Sequence, residues 1–308
     1  MTGTIRIGTR GSKLALWQAH YVADKLRKAG ISTEIVTIET QGDKILDVSI
    51  AKIGSKGVFT EEIEEQLRVG AIDIAVHSAK DMQSELPEGF ELIAFTEREK
   101  VNDVLVSERN SLSLDDQGIC IGTSSTRRVA MLKHWYPHIR TVAVRGNLQT
   151  RIAKMKDGAC DALLLAYAGM YRMGYGNMIV EELSIDRFVP AVGQGSVAVE
   201  CAMDLSPEKK KAIRNAVNHS TTEIRLKCER AFLRQLQGGC SIPVFGLSDI
   251  INDGIQLVGG IISLDGGELI RKQMNTPLQE AENLGKELAI QVLNAGGDKI
   301  LKDIKNNL

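Results

Sequence analysis

Apolar residues recur along this chain in two alternating rhythms, and the alternation predicts the class of fold. Ile5 to Gly8 is a short apolar run of strand type. Ser12 stands where a helix N-cap belongs, and Ala15, Ala19, Val22 and Leu26 then return on one helix face until Gly30 stops it. Glu34 to Thr40 alternates as a strand does. Thr60 is placed to cap a helix with Glu61 and Glu62 in its first turn, ending at Gly70, and Ile72 to His77 follows as another short strand. Strand and helix in turn imply an α/β sheet with parallel strands.

The middle of the chain repeats the theme. Ile119 to Gly122, Thr141 to Arg145 and Ala162 to Leu165 read as strands, with helices from about Ser125 to Trp135 and from Leu148 to Lys156. Ile7-Gly8-Thr9 followed by Ser12 matches Ile121-Gly122-Thr123 followed by Ser125 and Thr126, so a strand, a Gly-Thr step, a hydroxyl and a helix occur twice. This is the mark of two similar α/β domains, with coincidence as the rival reading. After Pro207 the order changes. Two helices (about Glu208 to His219 and Thr222 to Leu236) lead into Gly238-Gly239-Cys240, then come strands near Ile242 to Leu247, Ile255 to Ile262 and Glu268 to Gln273, and a helix from Leu278 to Leu293. Strands grouped between helices suggest a separate α+β domain.

Composition narrows the possibilities. The 308 residues, 43% hydrophobic and 25% charged, suit two or three globular domains, and with only 4% aromatics burial rests on Leu, Ile, Val and Ala. No stretch approaches the roughly 20 apolar residues that cross a bilayer. Met1 to Arg10 has no apolar run behind a basic start, so the expected location is cytoplasmic. A net charge of −1 argues against a nucleic-acid partner. The five cysteines (Cys120, Cys160, Cys201, Cys228, Cys240) include no C-x-x-C pair, and the five histidines have no metal-ligand spacing, so neither disulfides nor a metal are expected.

The cations, by contrast, are placed suggestively. Arg10 lies beside Ser12, and Arg127 and Arg128 follow Thr123-Ser124-Ser125-Thr126 directly. A Ser-Ser turn alone is ordinarily a helix cap. Arginines at a helix start shift the reading toward anion binding, because the exposed N–H groups and the positive dipole end already favour negative charge there. Lys52 and Lys56 flank glycines, Lys80 precedes Asp81, Arg145 and Arg151 bracket Gly146-Asn147-Leu148-Gln149-Thr150, and Arg172 closes the series. Arginine suits bidentate recognition of carboxylate or phosphate, so the residues imply a cleft for a polyanionic small molecule, with the two anions left open. Asp81 reads either as an ion-pair partner or as a carboxylate that stabilises a cation or moves a proton. Cys240 reads either as an inert buried thiol or, after two glycines between a helix and a strand, as a nucleophile or attachment point.

Taken in order, Thr9-Arg10-Gly11-Ser12 with Leu14 to Ala19, Lys56-Gly57-Val58-Phe59, His77 to Asp81, Gly122 to Ser125 with Arg127-Arg128, Arg145-Gly146-Asn147 with Thr150-Arg151, Pro190 to Gly195 and Gly238-Gly239-Cys240 resemble the porphobilinogen deaminase (hydroxymethylbilane synthase) family. The resemblance runs from about residue 5 to 245. It implies two periplasmic-binding-protein-like α/β domains flanking a cleft (residues 1–96 with 196–216, and 100–192) plus a smaller α+β domain at 219–308 carrying Cys240. The chain would cross between the first two near Thr96 to Lys100 and near Pro190 to Gly195.

The resemblance also implies a chemistry. A dipyrromethane cofactor, assembled by the enzyme itself and held by a thioether to Cys240, primes the condensation of four porphobilinogen molecules. Each loses ammonia to give a methylenepyrrolenine that the terminal pyrrole attacks, and hydrolysis finally releases hydroxymethylbilane. Every pyrrole bears an acetate and a propionate, which accounts for the cations without phosphate. Lys80, Ser125, Arg127 and Arg128 are expected to hold the cofactor. Arg10, Ser12, Arg145, Arg151 and Arg172 are expected to serve the incoming ring or moving chain, and Asp81 to stabilise charge at the pyrrole N–H groups. A monomer with a small-molecule substrate and no membrane or nucleic-acid partner is expected. One departure stands out: family members commonly have proline where this chain has Gln83, so the turn loses a fixed φ but keeps Lys80 and Asp81. The rivals are a non-catalytic two-domain anion-binding protein and a phosphate-handling enzyme, the latter weakened by the lack of a Gly-x-x-x-x-Gly-Lys-Ser/Thr loop.

Overall fold

Ile5, Ile7, Ile74, Val76, Val197 and Val199 are all buried, and hiding them sets the first sheet. The computed structural model describes residues 3–44, 60–109, 111–239 and 242–306. They gather into two units, Met1–Glu99 with Gly195–Ile224 and Lys100–Gln194 with Arg225–Leu308.

In the first unit β1 (Ile5–Arg10), β2 (Thr33–Ile38), β3 (Ile74–Ser78), β4 (Phe90–Phe95) and β10 (Val197–Ala202) form one sheet in the order β2-β1-β3-β10-β4. The first three are parallel, as the alternation predicts, whereas β10 runs antiparallel to both β3 and β4. Helix α1 (Lys13–Lys28) and α7 (Pro207–Val217) cover one face, where Ala19, Val22, Leu26, Ile213 and Val217 join the strand residues. A short α2 (Gln41–Lys44) precedes α3 (Glu61–Arg68), whose Ile63 and Leu67 meet Ile72, Ala75 and Phe90 in a second cluster. With both faces covered, the functional groups are left to the sheet's ends.

The second unit repeats this plan. Its strands β5 (Asp103–Val106), β6 (Cys120–Gly122), β7 (Arg140–Val142), β8 (Ala162–Ala166) and β9 (Ile179–Glu182) take the order β7-β6-β8-β5-β9, with β6, β7 and β8 parallel and β5 antiparallel to its neighbours. The two sheets therefore share one topology, and the duplicated Gly-Thr step falls at the same place in each. Gly8 ends against Ile72 and Ile38, and Gly122 against Cys160, Val144 and Leu163, so close that a Cβ would overlap all but the Ile38 contact in the first and all three in the second. Helices α4 (Thr126–Trp135), α5 (Leu148–Lys156) and α6 (Tyr167–Arg172) follow β6, β7 and β8.

Beyond α8 (Ser220–Gln235) lies an antiparallel sheet of β11 (Val244–Ile251), β12 (Gly254–Ile262) and β13 (Leu269–Pro277), backed by α9 (Ala281–Val292). Phe245 and Ile262 of this sheet share one buried cluster with Leu105, Ile121 and Met131 of the α/β part. The chain does not stop after α9. Gly296, at φ 107°, kinks it into α10 (Asp298–Asn306), whose Ile300, Leu301 and Ile304 are buried. Among the described residues no helix is long and apolar enough to cross a membrane.

Candidate active site

Parallel strands deliver their C-terminal ends to one edge of a sheet, and there the chain places its hydroxyls and charges. In the first unit Arg10 closes β1 and Ser12 caps α1, its Oγ accepting the Ala15 N–H at 3.3 Å. At the same edge β3 runs into a single 3₁₀ turn, Ala79–Asp81, that leaves Lys80 half-buried and Asp81 exposed. The turn is approached from α1 as well, through Gln18 Nε2 donating to Ser78 Oγ at 2.8 Å. The first unit thus brings Arg10, Ser12, Lys80 and Asp81 to one sheet edge.

In the second unit the corresponding edge holds Ser125, Arg127, Arg128, Arg145 and Arg151. Ser125 caps α4 with its Oγ 3.5 Å from the Arg128 N–H, and Ser124 Oγ donates to the Val144 carbonyl at 2.9 Å, pinning the β6 and β7 exits together. Strand β7 is shorter than its pattern predicts because Val144 turns in under Gly122. Arg145 consequently sits in the loop, and Asn147 caps α5 by accepting the Thr150 N–H at 2.9 Å. Arg151 Nε donates to the Gly146 carbonyl at 2.8 Å. Arg172 is the last residue of α6, the six-residue helix that follows β8.

Arg127 and Arg128 turn inward. They are only 4% and 5% exposed, and their Nη2 atoms lie 2.8 and 2.7 Å from the two oxygens of Asp103, which is wholly buried. Further N–H groups donate to the Val189 and Leu164 carbonyls at 2.9 and 3.0 Å. Gln194 Nε2 adds a bond to Asp103 at 2.9 Å and one to the Val101 carbonyl at 2.7 Å. Burial pushes the Asp103 carboxyl up, but the two guanidiniums and the bonds from Arg128 and Gln194 prevail and hold it well below the usual carboxylate range. One carboxylate against two guanidiniums leaves a net positive charge beneath the N-terminus of α4, a donor set suited to a carboxylate-bearing group.

Asp103 was invisible as a site residue from its sequence context. Its signal was an acidic residue opening the all-apolar run Val104-Leu105-Val106, where an unpaired charge would be untenable. Glu229 is a second such residue. Buried on α8, it accepts the Gly193 N–H at 3.0 Å and the Ser248 N–H and hydroxyl at 2.9 Å, fixing the helix that leads to the cysteine loop.

That helix ends in a Schellman motif. Gln237 takes a left-handed φ of 50°, its N–H bonds the Arg234 carbonyl, and the Gly238 N–H bonds the Leu233 carbonyl at 3.0 Å. A Cβ at Gly238 would come within 2.6 Å of the Leu233 side-chain methyl, which would have to shift. The Ile242 N–H then returns to the Gly239 carbonyl at 3.0 Å. Cys240, Lys52 and Lys56 lie outside the described residues. The other four cysteines are buried. Burial raises every one of these thiols, with Cys160 pushed up to about 11 and Cys201 to about 12, so none is poised to form a thiolate. No group of His, Cys, Asp and Glu among the described residues could hold a metal.

Two family models match the chain. One, "Porphobilinogen deaminase, dipyromethane cofactor binding domain", covers residues 5–209, and the other, "Porphobilinogen deaminase, C-terminal domain", covers residues 224–294. Among curated proteins, the porphobilinogen deaminase of Cytophaga hutchinsonii is 56% identical over all of this chain and 99% of its own length. That of Desulfosudis oleivorans is 54% identical over 98% of each. Among solved structures, the periplasmic VFT2 domain of Bordetella pertussis BvgS aligns with 69% of this chain and 86% of its own at 14% identity, with a TM-score of 0.43.

Proposed function

This chain belongs to the porphobilinogen deaminase family, and from that premise we propose that Cys240 tethers its primer and Asp81 serves the reacting pyrroles. The enzyme is a transferase of tetrapyrrole and heme biosynthesis. It condenses four porphobilinogen molecules head to tail into hydroxymethylbilane with release of ammonia. Its cofactor, a dipyrromethane, supplies the pyrrole on which the new chain is started. The rival reading as a non-catalytic anion-binding protein is set aside, because relatives of this similarity and coverage carry the name of the enzyme.

The site fits a carboxylate-rich group. Ser125 at the cap of α4, the net charge left by Arg127 and Arg128 over Asp103, and Lys80 would hold the acetate and propionate groups of the cofactor. Each charge-assisted bond contributes about 1.5–3 kcal/mol. Arg10, Ser12, Arg145, Arg151 and Arg172 would bind the incoming ring and the lengthening chain. Asp81, exposed at the end of β3, accepts pyrrole N–H groups and stabilises the positive charge that develops there. We assign residues 1–96 with 196–216, residues 100–192 and residues 219–308 to three domains, and expect a cytoplasmic monomer.

One observation supports the tether at Cys240, which two glycines precede: all four described cysteines are buried with raised thiols. Denatured intact mass tests it. Purified protein is expected to exceed its sequence mass by one dipyrromethane, and Cys240→Ala to abolish the excess. Protein at its bare sequence mass that still forms hydroxymethylbilane would refute the tether.

A further inference from the structure

The turn that carries Lys80 and Asp81 is moored by side chains from three other elements. Upstream, His77 Nε2 lies 3.1 Å from Glu200 Oε2 on β10, and Ser78 is held by Gln18 of α1. Downstream the mooring is Gln83. Its Nε2 donates to Thr60 Oγ1 at 3.2 Å and reaches Glu64 Oε1 at 3.5 Å. Thr60 and Glu64 are both buried, at the start and on the inner face of α3. Amide, hydroxyl and carboxylate therefore form one bridge from the exit of the turn to a packed helix.

At this exit the Met82 N–H bonds the Ala79 carbonyl at a long 3.4 Å. Met82 is extended, at φ −72° and ψ 140°, which is the conformation a residue before proline must adopt. A proline ring at position 83 would lock the chain there with φ near −65°. Glutamine has no ring, and the side-chain bridge stands in its place. We propose that Gln83 is a positioning residue for the reaction, holding Asp81 at its working place through Thr60 and Glu64. The inference rests on the reading of Asp81 as the carboxylate that meets the pyrroles.

The test compares full-length, cofactor-loaded wild type with Gln83→Ala, Gln83→Pro, Thr60→Val and Asp81→Ala, by steady-state kinetics and by hydrogen–deuterium exchange of the peptide spanning 78–84. Displaced catalytic groups lose rate more than binding, so Gln83→Ala is expected to lower kcat about tenfold with KM within about twofold. Exchange in 78–84 should rise about tenfold as the turn opens more often. Gln83→Pro should recover most of both, and Thr60→Val, which removes the shorter of the two Gln83 bonds and leaves the one to Glu64, should move kcat and exchange in the same direction by less, even if Gln83→Ala proves unstable. Wild-type kcat and exchange in Gln83→Ala beside an inactive Asp81→Ala would overturn the role of Gln83 alone. A Gln83→Pro as slow and as open as Gln83→Ala would do the same. Near-normal turnover of Asp81→Ala would remove the reading of Asp81 and this inference with it.

Discussion

Asp103→Asn keeps the shape of a wholly buried side chain and deletes the negative charge that two buried guanidiniums contact at 2.8 and 2.7 Å. At a charge separation near 4 Å and an effective dielectric of about 20, each pair is worth about 4 kcal/mol before desolvation is subtracted. Severing a buried pair while its partner stays buried costs about 3–5 kcal/mol net, and here two arginines are left facing each other. For a unit of this size that corresponds to a fall of roughly 6–20 °C in Tm. The pH dependence has a definite sign. Because the folded-state carboxyl lies below its unfolded value of about 4, its stabilisation is fully present above that value and is lost only as pH falls toward the folded one. Thermal unfolding of both proteins followed by circular dichroism at pH 5, 7 and 8 should therefore show a constant gap, closing only in stronger acid. A variant within about 2 °C of wild type at pH 7, or a gap that changes between pH 5 and 8, would show that Asp103 does not neutralise the pair as described.

Two further outcomes are expected. Gly122→Ala should destabilise the second unit by about 1–3 kcal/mol, because its Cβ would stand 2.6–2.8 Å from Cys160, Val144 and Leu163, all buried; an unchanged Tm would mean that this strand exit relaxes freely. A maleimide applied to folded Cys240→Ala protein should label none of Cys120, Cys160, Cys201 and Cys228 within minutes, while the same protein in denaturant takes up four equivalents; rapid labelling of any of them in the folded state would reopen the choice of tether.

Much of the fold was legible because it follows from local rules. The β1, α1, β3, β6 and α5 patterns, with Ser12 and Ser125 as caps, needed only periodicity and capping chemistry. Strands β4, β5, β9 and β10 were not read as strands, since their place in each sheet is set by partners that other elements separate from them in sequence. β10, for instance, lies between β3 and β4, which precede it by about a hundred residues. Helix α10 escaped for a different reason. Gly296 at φ 107° reads as a terminator, yet the chain resumes a helix directly after it. The charges at the two sheet edges, Arg10, Lys80, Asp81, Arg127, Arg128, Arg145 and Arg151, stand out in the sequence because they stand at or after strand ends. Asp103 and Glu229 were missed because a buried acid is recognisable only once its partners are in place.

The two α/β units differ in what they do with an acid, and that difference is chemical. Both bring a Gly-Thr step and a capping serine to the same sheet edge, and both add arginine there. In the second unit the acid is Asp103, lying under the edge and committed to two guanidiniums, so it can only tune the charge a ligand meets. In the first unit the acid is Asp81, exposed on a one-turn element and held in place through neighbouring residues. An exposed carboxylate beside Lys80 has the open face that the role proposed for Asp81 requires, that of accepting an N–H from a ring gaining positive charge. A buried carboxylate already saturated by arginine has none. Of these two acids, Asp81 is the exposed one, and a ligand's N–H can reach it as the proposed role requires, whereas Asp103 is enclosed by its arginines.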